Sequence, residues 1–160
     1  MNNEKHLKTI RRASRVGLWG SVGVTLATVL FLYASHYRFY QNEYTVRWMV
    51  IAGVVLAVLA VSMTLLNVRR QVPRLRQAED LDAKLAGYAT FVREVYTNML
   101  VVVLLLCIFT ALTARSPLLM LVIVCVLVLI LNFPNIYKIK NDLGLNDEQM
   151  RSLFGDRYIA

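Results

Sequence analysis

Three asparagines, Asn67, Asn98 and Asn132, stand at the ends of long apolar runs, with Thr64, Thr97 and Tyr137 close to them in the sequence. A carboxamide both donates and accepts, and away from water it must find a partner. If the runs are helices, the three amides share one depth. They then form either a set of interhelical hydrogen bonds, worth about 1 kcal/mol or less each, or a polar ligand site or pore constriction. Pro134 supports the second reading, because it cannot donate to the carbonyl of Ile130 and would leave that group for a ligand.

Other chemistry-bearing residues do not converge. His6 and His36 fall on opposite sides of the first apolar run and cannot pair at a metal. Cys107 and Cys125 lie inside apolar runs without C-x-x-C spacing, where a thiol packs as a small apolar group. Glu79 with Asp82, and Asp147 with Glu148, stand among cations and read as solvated charge. No H-E-x-x-H, G-x-S-x-G, P-loop or dinucleotide fingerprint occurs; Gly17, Gly20 and Gly23 follow no strand and read as a packing pattern. The sequence predicts no enzyme, no metal and no cofactor. Coupled transport is disfavoured too, because it generally needs an ionisable group at membrane depth.

The elements that would position the asparagines are written in the hydropathy. Of 160 residues 58% are hydrophobic and 18% charged, and the apolar residues are blocked rather than periodic. Runs 16–34, 48–68, 99–114 and 118–131 contain no Asp, Glu, Lys, Arg or His. With their flanks they approach the roughly 20 residues a helix needs to cross a bilayer. Strands would leave edge groups unsatisfied in lipid, and the runs do not alternate in polarity. The expected fold is an all-α membrane protein: a four-transmembrane-helix antiparallel bundle with spans at about 16–35, 47–68, 95–114 and 117–137 and cytoplasmic helical extensions. The first run is longer than the core of a secretory leader, so it is expected to be a retained helix.

Orientation follows from the cations. The arm 1–15, the connection 69–94 and the tail 138–160 hold 15 of the 18 Lys and Arg residues, leaving only Arg38, Arg47 and Arg115 elsewhere. Both termini are therefore expected in the cytoplasm, and short loops with this bias suit a bacterial plasma membrane. The net charge of +8 sits next to apolar runs rather than on one basic face, which points to anionic lipid headgroups and away from nucleic acid.

Finer patterns suggest packing faces. Gly17, Ser21, Thr25 and Thr28 form one small-residue stripe, and Gly53, Ala57, Ala60, Thr64 and Asn67 a second; the two are the candidate helix–helix seam. Leu7, Ile10 and Ala13 or Ser14 share a face of the basic arm, which would lie along the headgroups. Phe31, Tyr33, Tyr37, Phe39, Tyr40, Tyr44 and Trp48 form an interfacial belt around the first outer connection. A ligand surface with His36, Arg38, Gln41, Asn42 and Glu43 is the alternative there. Ser116 and Pro117 suit the cap and first position of the fourth helix.

Leu81, Leu85, Tyr88, Val92 and Val95 follow heptad-like spacing through the connection 69–94, with Pro73 expected to break or kink the helix before it. In the tail, Asn146 and Gln149 form a capping box, with Leu145 and Met150 as its staple. A helix over 147–154 should follow, stop at Gly155, and dock Met150, Leu153 and Phe154, most simply on the central arm. These faces predict a non-enzymatic scaffold, assembly or regulatory subunit that binds copies of itself or a membrane-protein partner. An oligomeric pore past the asparagine layer is the alternative.

Overall fold

The structure, a computed structural model, describes residues 2–34, 42–78 and 80–155. Among these residues all regular structure is helical, in the order α1 (Asn2–Ala34), α2 (Glu43–Arg76), α3 (Leu81–Thr113), α4 (Ser116–Leu131), α5 (Ile136–Leu143) and α6 (Asp147–Phe154). The first outer connection, with His36, Tyr37, Arg38, Phe39, Tyr40 and Gln41, lies outside the described residues, as do Glu79 and the chain beyond Gly155.

α1, α2 and α3 are each long and apolar enough to cross a membrane, and α4 with α5 makes a fourth only if the pair counts as one bent span. At 1.5 Å per residue α1, α2 and α3 are each roughly 50 Å long, against about 30 Å of hydrocarbon. The surplus is the charged part of each helix. The basic arm is not a separate surface helix: nothing breaks α1 between Asn2 and Ala34, and Leu7 and Ile10 are buried against the rest of the molecule. Pro73 does not end α2 either. Its ring falls in the last turn, and α2 continues to Arg76 before the Gln77 N–H closes on the carbonyls of Pro73 and Arg74.

The bundle is a rhombus. α3 and α4 meet across the short diagonal, while α1 and α2 occupy the far corners, each packed on α3 and α4 and hardly on one another. Accordingly only 17% of the most apolar window of α1 and of α2 is buried, against 39% of that of α3. α1 and α3 rise side by side: His6 lies beside Asp82, Gly17 beside Tyr96 and Gly20 beside Leu100. α2 runs against α3 in the opposite sense, with Gly53 near Leu106 and Gly87 near Leu75.

The two small-residue stripes thus lie at helix seams without facing each other. A Cβ on Gly17 would stand 2.8 Å from the Tyr96 ring, and one on Gly53 would stand 2.5 Å from Leu118. Ser21, Thr28, Ala57 and Thr64 are buried, and Thr25 and Ala60 half-buried. The Ser21, Thr25 and Thr28 hydroxyls donate back to the carbonyls of Gly17, Ser21 and Val24, which leaves smooth surfaces for close approach.

At the other end α3 stops with Ala114 in the left-handed region, φ 50°, its N–H bonded to the Thr110 carbonyl. α4 begins one residue earlier than the sequence suggests. The Leu118 N–H closes a tight first turn on the Arg115 carbonyl at 3.2 Å, so Arg115 is the cap and Ser116 the first helical residue.

Candidate functional site

α4 is the short helix of the bundle. Its 16 residues cover about 24 Å, less than the hydrocarbon core, and the chain then bends by 75° into α5. The helix expected to run to 137 therefore ends at Leu131, and the cause is local. Pro134 has no N–H to offer the carbonyl of Ile130. The Phe133 N–H takes that carbonyl instead, at 3.0 Å, so Ile130 is not the group left free. Leu129 loses its usual partner, and the Tyr96 hydroxyl fills the place at 2.9 Å. Asn135 then caps α5 by accepting from the Lys138 N–H at 2.7 Å.

Asn132 sits at this break and is half-buried. Its Nδ2 donates to the Val128 carbonyl at 2.9 Å, and its Oδ1 accepts from Lys138 Nζ at 3.0 Å. The same ammonium donates to the Leu131 carbonyl at 3.2 Å. It thereby occupies the negative end of the α4 dipole, where a cation is stabilised. One turn further along α5, Asp142 Oδ2 accepts from the Tyr88 hydroxyl of α3 at 2.8 Å. Between these groups lies a cavity of about 20 Å³, closed on the apolar side by Val68, Phe91, Val92 and Val95. That is room for a single water with polar partners on several sides.

The electrostatics follow from burial. Burial, reinforced by the Asp142 carboxylate, pushes the Tyr88 phenol well above its ordinary range. Burial pulls the Lys138 ammonium down, and Asp142 partly offsets that. The Tyr88 phenol therefore keeps its proton, and with Lys138 and Asp142 it holds a broken helix end. Its geometry fixes the angle between α4 and α5 and offers one small polar pocket.

The three asparagines are not brought together by hydrogen bonds. Asn132 is committed within its own helix and to Lys138, whereas the Asn67 and Asn98 side chains are exposed and make no hydrogen bond among the described residues. Thr64 is buried, and Tyr137 points outward at 69% exposure. The heptad-like face of α3 is in place: Leu85, Tyr88, Val92 and Val95 are buried and Leu81 half-buried. Its partners are internal, in one apolar cluster with Leu7 and Ile10 of α1, Ile139 and Leu143 of α5, and Met150 and Phe154 of α6.

The tail helix forms as the sequence indicates, with both halves of the capping box present. It leans on the arm of α1, where Leu153 and Phe154 share a hollow with Glu4, Leu7, Lys8 and Arg11. What the sequence did not reveal is the part played by Tyr96, Lys138 and Asp142. The only sequence trace is the i, i+4 spacing of Lys138 and Asp142 just past a proline-ended run. Among the described residues no three His, Cys, Asp or Glu side chains converge as metal ligands would. No family model, curated protein or solved structure matches the chain.

Proposed function

We propose that the chain is a non-enzymatic membrane scaffold that self-associates in a bacterial plasma membrane. In this reading α1 to α4 cross the bilayer as an antiparallel four-span bundle, and the charged helix ends, α5 and α6 form one cytoplasmic platform. Helix lengths support the membrane placement, because each long helix exceeds the hydrocarbon thickness by about as much as its charged portion. The cations of that portion obey the positive-inside pattern.

Self-association rests on one observation: Asn67 and Asn98 are exposed and their side chains make no hydrogen bond among the described residues, at the ends of apolar runs. An amide on a lipid-facing surface is stabilised when a neighbouring helix supplies its partner, typically by about 0.6 kcal/mol and at most roughly 2. α2 also leaves apolar side chains uncovered, with Val55, Leu59, Met63 and Leu66 exposed. The heptad-like face, by contrast, is already covered by the chain's own arm and tail.

The test is the mass of the full chain in lipid nanodiscs. Dimers or larger assemblies are expected, shifting toward monomer when Asn67 and Asn98 are both replaced by Leu. A particle that is monomeric at every concentration and yields no crosslinked species would remove this reading.

A further inference from the structure

Between α1 and α3, at the level where their charged ends give way to uncharged runs, a groove of about 320 Å³ opens on the surface. This is near the lower end of the roughly 300–1,000 Å³ typical of small-ligand sites. Its charged rim is Arg12 from α1 and Arg93 from α3, and no carboxylate lines it. Neither guanidinium has an acidic partner among the described residues. Thr97 adds a hydroxyl with no hydrogen-bond partner among the described residues, while that of Thr9 is already donated to the Lys5 carbonyl. Below this rim the wall is apolar, made by Val16, Gly17 and Leu100. The groove thus has two free guanidinium groups at one end and a hydrocarbon-lined channel at the other.

We propose that this groove binds one anionic phospholipid, its phosphate held between Arg12 and Arg93 and its acyl chain laid along Val16, Gly17 and Leu100. Guanidinium groups suit phosphate because their paired N–H donors match its oxygens. The apolar channel selects a lipid over a free anion. Because the two arginines come from different helices, an occupied site also ties the arm of α1 to that of α3. The inference rests on the membrane placement proposed above.

The experiment uses the full chain with vesicles of phosphatidylcholine alone or mixed with phosphatidylglycerol, followed by native mass spectrometry of the extracted protein. One tightly retained phosphatidylglycerol per chain is expected. A guanidinium hydrogen-bonded to the bound phosphate contributes about 1 kcal/mol beyond the attraction any surface cation feels, so Arg12→Gln should weaken retention about fivefold and the pair Arg12→Gln with Arg93→Gln about 25-fold. Arg11→Gln with Arg15→Gln, two exposed cations of the same arm outside the groove, should change it little.

Equal loss in the two double variants would show diffuse headgroup attraction and overturn the site. Equal retention of phosphatidylcholine, or equal competition by inorganic phosphate, would do the same. Failure to float with vesicles of either composition would instead defeat the membrane placement itself. All four arginines are exposed, and a far-UV spectrum confirms that the variants keep their helices.

Discussion

Tyr88 gives the most direct residue-scale handle on the cluster at the helix break. Its folded-state pKa is raised by burial and by Asp142, above a reference value of 10.0. The folded state then holds the phenolic proton more tightly than the unfolded state. The resulting stabilisation is fully present below pH 10 and is lost progressively as the pH rises above it. Unfolding in detergent should show declining stability above about pH 10, and Tyr88→Phe should flatten that decline while costing about 1–3 kcal/mol at neutral pH through the lost bond to a carboxylate. An unchanged alkaline limb in the variant would show that Tyr88 does not titrate in this way.

Asn132 and Pro134 were legible as a polar break in an apolar run. The phenols, Lys138 and Asp142 were not, because they reach the break from α3 and from a tail segment where no helix was expected. Sequence distance hid them: the Tyr88–Asp142 bond spans 54 positions and the Tyr96–Leu129 bond 33.

At the scale of elements, the ends of helices carry the clearest expectations. Ala114 holds a left-handed conformation, φ 50°, that costs a residue with a Cβ roughly 1–2 kcal/mol. Ala114→Gly should raise the midpoint of thermal unfolding, by a stabilisation of about 1 kcal/mol. A lowered midpoint would mean that the Ala114 methyl is needed for packing.

Asn146→Ala removes one half of the capping box and should cost about 1 kcal/mol. Hydrogen exchange across residues 147–154 is the readout, and it should quicken there before anywhere else. The capping box and the heptad-like face were legible because both are local patterns of cap and period. The continuity of α1 was not, because a basic amphipathic stretch reads the same whether it lies on headgroups or on α3. What decides is the shared apolar cluster with α3, α5 and α6, in which Leu7 and Ile10 are buried.

For the molecule as a whole, the four apolar runs carried most of the helical architecture. They could not show which helices touch, since small-residue stripes say only that something approaches closely. The partner of each stripe proved to be a large residue on α3 or α4, Tyr96 for Gly17 and Leu118 for Gly53. The rhombic arrangement leaves α1 and α2 as the corners with most of their apolar surface uncovered, and it gathers the charged ends at one side.

That one-sidedness is the central claim, and substituted-cysteine labelling tests it most directly. Cys107 and Cys125 are buried and can be replaced by Ala. Single cysteines are then placed at the exposed positions Lys8, Asp80, Ser152 and Arg115. In intact cells a membrane-impermeant maleimide should modify only Arg115→Cys, and Lys8→Cys, Asp80→Cys and Ser152→Cys should react only after permeabilisation. Labelling of any of those three from outside, or of all four alike, would contradict a bundle whose arm, central connection and tail share the cytoplasmic face.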